Sequence, residues 1–521
     1  MSPDDEQHAA STIDEPLLAS VGRLTAIVLA AAGAVALAAC GRMVYSAWSG
    51  QRRFDTWPLI VFYYLMPATL AALCFSSLGF KLRARVRLLM LIASLTLSLY
   101  AGEAWLTIFA GAGRSVFASL DDHARLRPAM TSLAAAGDKT QFAADLTRRF
   151  GGSIDVRTSR EMLDELRRQD HDAISVVTPS NHLFMPQSDG SIRSAVTIDG
   201  DEVLPLAGVS GRVTLLCNES GQWVDYRSDR RGFNNPDRVW DSRPIDIVAL
   251  GDSFTHGYCV ENDKSFVALI RDHDGATVNL GIAGDGPLLM LATLAEFAAP
   301  RSPNIVLWFY YEGNDLVDLQ IERKSALLSR YLTAGFSQPH LARQAEVDHG
   351  ILAEIPRLEK TARENDERRR RNVIRHGLTT FVALGSLRER FGLIEGSEPS
   401  AGEAARDFDT ANMAVFQEVL RQAKTQVDGW KGQLYFVYLP EWTRYTSYSS
   451  WGKAKRDDTL RLVRSLGIPV IDVDPVFQAH GDPLSLFPFR MVGHYNETGH
   501  RLVAEEVLRR LASGGRHGSP W

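Results

Sequence analysis

Three long apolar stretches near the N-terminus constrain the fold of this chain more than any other sequence feature. Leu24–Gly41 and Trp57–Phe80 contain no charged residue, and Leu88–Ala110 contains only Glu103. A helix that spans a membrane needs about 20 mostly apolar residues, so each stretch is long enough to cross one. Helices buried in a soluble core are the alternative, which three such stretches in close succession disfavour. The sequence therefore predicts a transmembrane anchor of three helices over residues 22–113, preceded by a cytoplasmic tail of residues 1–21.

The orientation of this anchor follows from its connecting segments. Lys81–Arg87 carries four cations in seven residues, which places it in the cytoplasm by the positive-inside rule. The third helix then leads outward, so we expect everything after Arg114 to lie on the periplasmic or extracellular side. Arg42, Arg52 and Arg53 in the first connecting segment weigh against this orientation.

Length, charge and cysteine content exclude several classes of protein. A chain of 521 residues exceeds the usual size of one hydrophobic core, so we expect more than one structural unit. The formal charge of -5 gives no electrostatic reason to expect a nucleic-acid partner. The four cysteines form no Cys-x-x-Cys pair or Cys/His cluster, so no metal site is expected.

The C-terminal half reads as an α/β domain. Five nearly continuous apolar runs alternate with helical stretches, which indicates a parallel sheet covered on both faces. The runs are Ile245–Leu250, Val278–Leu280, Asn304–Tyr311, Gln433–Leu439 and Ile468–Val473. We therefore predict a small α+β lead-in region over 114–242, a catalytic domain over 243–512 with a helical insertion at 316–400, and a flexible tail at 513–521.

Four short segments in this half carry residues suited to nucleophilic catalysis. Gly251–Gly257 places Ser253 directly after the first strand, and Asn279–Gly286 supplies glycines after the second. Gly313–Asp315 places Asn314 after the third strand, and His494–His500 opens the last helix. Each segment alone also fits an ordinary turn or helix cap. Together they combine a hydroxyl nucleophile, a base with a pKa near neutrality and donors for an oxyanion.

In order and strand context the four segments resemble the blocks of the SGNH/GDSL hydrolase family, over roughly residues 244–511 without the insertion. The resemblance implies a flavodoxin-like, three-layer parallel sheet and a serine esterase that needs no cofactor. It implies Ser253 as the nucleophile and His494 as the general base. The backbone amide of Ser253, together with Gly284 and Asn314, matches the donors of the oxyanion hole.

The third member of the triad departs from the family pattern. The family often has an aspartate three residues before the histidine, where this chain has Met491. Asp482 and Asp474 are the nearest upstream candidates, and a backbone carbonyl that orients His494 is the alternative. We prefer His494 to His500 as the base, because His494 precedes the helix.

Cys217 and Cys259 are candidates for a disulfide, since an external compartment permits one. The bond would tie the lead-in region to the loop that carries Ser253. Two unrelated buried thiols are the alternative.

These residues and the resemblance are compatible with four functions. The first is a membrane-anchored esterase that removes acyl groups, such as acetyl, from an envelope or exported polysaccharide. The second is a polysaccharide O-acyltransferase that uses the same Ser-His site and a membrane partner supplying the acyl donor. A lipase or lysophospholipase is the third, with a lipid substrate. A non-catalytic assembly protein is the fourth, and the joint presence of Ser253, Asn314 and His494 argues against it.

Overall fold

The computed structural model describes residues 15–48, 60–105, 154–382, 384–390, 401–446 and 450–513. Contacts within the chain divide it into two units. The first comprises Met1–Ala118 and Asn372–Pro399, and the second comprises Ser119–Arg371 and Ser400–Trp521. Most of the tail predicted at each end of the chain lies outside the described residues.

Three helices of the first unit are long and apolar enough to cross a membrane, at Pro16–Tyr45, Val61–Gly79 and Leu82–Trp105. They correspond to the three predicted spans. A Cβ atom at Gly33 would lie 3.1 Å from the Cys74 side chain, so this glycine lets the first and second helices approach closely. The basic segment differs from the predicted loop, because its residues from Leu82 onward form the first turns of the third helix.

The first unit also contains residues 372–399, which follow the spans by more than 260 positions in the sequence. The Tyr100 hydroxyl donates to the Val382 carbonyl at 2.8 Å, and the Leu387 amide donates to Glu103 at 2.8 Å. The Arg388 guanidinium lies over the Tyr63 ring, 5.2 Å from its centroid. Glu103 is buried and has a partner here, which accounts for an ionisable group within a predicted span.

The second unit is built on a five-stranded sheet. Its strands are β1 (Ile247–Leu250), β2 (Thr277–Asn279), β3 (Ile305–Tyr311), β4 (Gln433–Leu439) and β5 (Val470–Asp472). The spatial order is 2-1-3-4-5, and every neighbouring pair is parallel. In sheets with this order, ligands bind beyond the carboxyl ends of the strands where the order reverses, here at β1 and β3.

Helices cover both faces of the sheet and create two hydrophobic cores. Along β3, Val306 and Trp308 join one core while Leu307 and Phe309 join the other, as the period of two in a strand requires. Burial on both faces explains why the strands are apolar at nearly every position. The helices of the first core are Pro287–Thr293, Ala401–Gly429 and Ser450–Ser465, and those of the second are Phe266–His273, Asp474–Ala479 and Glu497–Ser513.

The lead-in residues pack into the same unit as the sheet. Leu204, Leu206 and Phe233 are buried in the first core, beside residues of β1 and β3. The lead-in region can therefore deliver side chains to a site at the sheet. Its elements are the helix Ser159–Gln169 and the strands Ile174–Ser175, Phe184–Pro186, Ile192–Ser194, Thr197–Ile198, Asp201–Glu202, Val213–Cys217 and Val224–Arg227.

The stretch predicted as a helical insertion at 316–400 is mostly helical where it is described, with turns and irregular backbone between its helices. Its helices are Asp315–Glu322, Ala326–Ser329, Gln344–Val382 and Gly385–Arg390. The long helix contains Pro356, yet it continues to Val382.

Candidate active site

Ser253 lies at the carboxyl end of β1, where it opens the short helix Ser253–His256. Gly251 makes this turn feasible, because a Cβ atom there would lie 2.1 Å from the Thr255 hydroxyl. The Asp252 side chain accepts a hydrogen bond from the Phe254 amide at 3.0 Å and so caps the helix. The turn holds Ser253 at the sheet edge, where 8% of its surface is exposed.

His494 joins Ser253 to Glu219. Its Nε2 lies 2.8 Å from the Ser253 Oγ, and its Nδ1 lies 2.9 Å from a Glu219 carboxylate oxygen. The His494 backbone amide donates to that same oxygen at 3.0 Å. Because a carboxylate can only accept, Nδ1 carries the proton and Nε2 is left to receive the serine proton. Serine, histidine and carboxylate thus form a continuous relay of hydrogen bonds.

The lead-in region supplies the acid of this relay. Glu219 lies between the strands Val213–Cys217 and Val224–Arg227. A disulfide joins Cys217 to Cys259, across 42 positions of sequence and a Cα–Cα distance of 5.4 Å. Cys217 precedes Glu219 by two residues, and Cys259 follows the Ser253 helix. The bond therefore links the segment that carries the acid to the loop that carries the nucleophile.

The prediction of Asp482 as the triad acid needs correction. The Asp482 carboxylate forms a salt bridge with Arg490, and Glu219 occupies the Nδ1 position of His494. Asp474, the other candidate, receives hydrogen bonds from Tyr445 at 3.0 Å and Gln478 at 2.7 Å. Both aspartates lie close to His494 in the sequence, whereas the fold brings Glu219 to it from 275 positions away.

Two further histidines have structural roles. His500 is fully buried, and its Nδ1 accepts a hydrogen bond from the Phe266 amide at 3.1 Å. His256 is also fully buried, and its Nδ1 accepts from the Ala283 amide at 3.2 Å. Burial lowers the pKa of each to about 3, so both remain neutral acceptors. His256 thereby supports the turn just before Gly284, a role that the sequence gave no reason to expect.

Gly284 and Asn314 lie in the same cleft as Ser253. Gly284 has a φ of +84°, and a Cβ atom there would lie 2.5 Å from Ser180 and Asn181 of the lead-in region. Asn314 precedes the helix Asp315–Glu322 and lines the cleft beside Ser253 and His494. Both residues follow the carboxyl end of a strand, β2 for Gly284 and β3 for Asn314, and both line the cleft that contains Ser253.

The cleft has a volume of about 330 Å³ and mixes aromatic, amide and acidic walls. The ring of Phe254 stacks on Tyr311 at 4.0 Å, and the ring of Tyr258 lies 4.9 Å from His494. The lining comprises Asn181, Ser253, Phe254, Tyr258, Ala283, Gly284, Tyr311, Gly313, Asn314, Asp318, Glu441, Val492, Gly493 and His494.

Buried carboxyl groups lie around the cleft. Burial raises the pKa of Asp252 to about 6, that of Asp318 to about 7 and that of Glu322 to about 8. Burial also raises the pKa of Asp285 and Asp315 well above the ordinary value, and neighbouring carboxylates add to the effect. Glu322 accepts hydrogen bonds from the Gly286 amide at 2.6 Å and the Leu288 amide at 2.8 Å, which fixes the turn after Gly284.

Glu219, Cys259 and His494 place potential metal-ligand atoms within 4.8 Å of one another, and they form the one such group in the described part of the chain. The Cys259 sulfur is bonded to Cys217, and His494 already binds Ser253 and Glu219. A disulfide sulfur is not a thiolate, so this group offers a poor metal site.

The chain is similar to solved structures of proteins described as esterases and lipases, at low sequence identity. No family model and no curated protein matches the sequence. A member of the lipolytic protein G-D-S-L family from Veillonella parvula DSM 2008 covers 51% of this chain and 98% of its own, at 12% identity and a TM-score of 0.27. The lipase/acylhydrolase from Enterococcus faecalis covers 53% of this chain and 100% of its own, at 11% identity and a TM-score of 0.28. The acetyl xylan esterase AlAXEase covers 51% of this chain and 99% of its own, at 11% identity and a TM-score of 0.27.

Proposed function

We propose that this chain is a membrane-anchored serine esterase of the SGNH/GDSL type, which removes small acyl groups through an acyl-enzyme. The observation that carries the proposal is the hydrogen-bonded series Ser253, His494 and Glu219, with Oγ–Nε2 and Nδ1–carboxylate distances of 2.8 and 2.9 Å. A base within hydrogen-bond reach of a serine, itself oriented by a third group, is the arrangement that activates a weak hydroxyl nucleophile.

The steps follow from these contacts. His494 takes the Ser253 proton as Oγ attacks the ester carbonyl, and the Glu219 carboxylate stabilises the imidazolium that forms. The developing oxyanion receives hydrogen bonds from the Ser253 and Gly284 amides and from the Asn314 side chain. His494 then gives its proton to the departing alcohol. Water, activated by His494 in turn, releases the acid and restores Ser253.

We place the catalytic unit on the periplasmic or extracellular side. The basic segment Lys81–Arg87 lies between the second and third candidate spans. Tyr63 in the second span and Glu103 in the third both lie near the end that is remote from the basic segment. Tyr63 contacts Arg388, and Glu103 accepts a hydrogen bond from the Leu387 amide. These contacts support a location for residues 387–388 on the side of the membrane away from the basic segment, and the positive-inside rule assigns that side to the exterior. The disulfide is also in keeping with an oxidising compartment.

Hydrolysis of 4-nitrophenyl acetate by the purified full chain in detergent tests the esterase proposal. We expect turnover by the natural chain and a loss of at least about 1,000-fold in Ser253→Ala. Equal rates for the two proteins would refute it. A chain that acylates on Ser253 but releases the acyl group only when a glycan is added would be a transferase instead.

A further inference from the structure

The charge of the catalytic cleft provides a basis for substrate selection. Asp318 and Glu441 are the acidic members of its lining, and no lysine or arginine lines it among the described residues. The Arg444 guanidinium, three residues beyond Glu441, is buried and paired with Glu312 at 2.6 Å, so it does not offset this charge. A cleft lined by charges of one sign focuses its field, which here repels anions.

The remaining walls suit the other parts of a sugar ester. The rings of Phe254, Tyr258 and Tyr311 offer apolar faces, and Asn181 and Asn314 offer amide groups. A carboxylate such as Glu441 accepts hydrogen bonds from hydroxyl groups but repels a phosphate or a carboxylate. The chemistry of the lining thus favours an uncharged polyhydroxyl leaving group over an anionic one.

We propose that Glu441 and Asp318 make this site selective for acyl esters of uncharged sugars, and that they exclude anionic esters such as acylated uronates and lysophospholipids. This inference rests on the proposed esterase function and adds the class of substrate to it. Glu441 is the sharper probe of the two, because burial raises the pKa of Asp318 to about 7 and leaves its charge partial near neutral pH.

A matched pair of small esters tests the inference. Methyl 4-acetoxybenzoate is uncharged, and 4-acetoxybenzoate carries one negative charge on the same leaving-group skeleton. We define the charge ratio as kcat/KM for the anion divided by kcat/KM for the neutral ester, measured with the full chain at low salt. Intrinsic reactivity cancels when this ratio is compared between variants. The Glu441→Gln variant removes the charge and keeps an oxygen that can accept from the Thr443 hydroxyl.

We expect the charge ratio to rise about three- to tenfold in Glu441→Gln, and the ratio of the natural chain to rise with added salt as repulsion is screened. Asp318→Asn provides an independent variant, for which we expect a rise in the same direction. Glu505→Gln is the control, since Glu505 is exposed on the last helix and forms a salt bridge with the equally exposed Arg501. Acetate release from acetylated xylan should likewise exceed release from acetylated polygalacturonate.

The outcomes separate this inference from the function on which it rests. Intact hydrolysis with an unchanged charge ratio in both variants and at all salt concentrations would overturn the charge selection alone. A complete absence of hydrolysis, with 4-nitrophenyl acetate included, would overturn the esterase proposal and the inference with it.

Discussion

Replacement of Glu219 by glutamine is the sharpest perturbation of the proposed relay. Its carboxylate contacts both the His494 backbone amide and Nδ1. Opposite charges about 4 Å apart interact by about 4 kcal/mol at an effective dielectric constant of about 20. The Glu219 side chain is 33% exposed, so solvent reduces this to about 2–3 kcal/mol. Since about 1.4 kcal/mol corresponds to tenfold in rate, kcat should fall about 30- to 150-fold.

The assay is steady-state hydrolysis of 4-nitrophenyl acetate, with thermal unfolding measured alongside to verify folding. Asp482→Asn is the matched control, because Asp482 forms a partly exposed salt bridge with Arg490 and should change kcat by less than about twofold. Glu219→Asp should recover part of the lost rate. Glu219 does not stabilise the His494 imidazolium as proposed if Glu219→Gln keeps more than about a third of the natural kcat, or if Asp482→Asn loses as much activity as Glu219→Gln.

Three further predictions concern the oxyanion donors, the disulfide and the buried acids. Asn314→Ala should lower kcat about 100-fold with little change in KM, since the side-chain amide stabilises the transition state. A rise of about 100-fold in KM with kcat unchanged would argue against a role as oxyanion donor. Replacing both Cys217 and Cys259 by serine should lower the free energy of unfolding by about 2–4 kcal/mol, as measured by denaturant titration. It should also lower kcat, because the disulfide holds the segment that carries Glu219. Full retention of kcat would show that this segment needs no such support. The pKa of Asp285 is raised in the folded chain, so its contribution to stability is complete below about pH 4 and is lost as the pH rises through the raised value. Asp285→Asn should therefore flatten the decline in melting temperature as the pH rises above about 4, and a parallel decline in both proteins would contradict this.

The sheet was the part of the fold that local sequence could predict. Strand β4 was predicted with its observed bounds, and β3 within one residue, because burial on both faces makes their apolar runs continuous. The ends of β5 differ more, because the sequence predicts a strand over Ile468–Val473 whereas only Val470–Asp472 pairs with β4. Residues beyond the paired segment are just as apolar, so composition alone does not mark where pairing stops.

The proposed catalytic acid, Glu219, could not be predicted from local sequence. Ser253, Gly284 and Asn314 each follow a strand end, where topology predicts a site, but Glu219 lies in an irregular segment outside the sheet. One signal did point toward it, since the predicted pairing of Cys217 with Cys259 brings that segment to the nucleophile loop. His256 was missed because its role depends on a contact with the Ala283 amide that no sequence pattern encodes.

The proposed esterase depends on Ser253 as an active nucleophile and on His494 as its base. Both roles can be measured by labelling the full chain with a fluorophosphonate and locating the adduct by peptide mass spectrometry. We expect one adduct on Ser253, none in Ser253→Ala, and labelling slowed by at least about 100-fold in His494→Ala. Labelling at another residue, or at Ser253 with an unchanged rate in His494→Ala, would show that these roles are wrong.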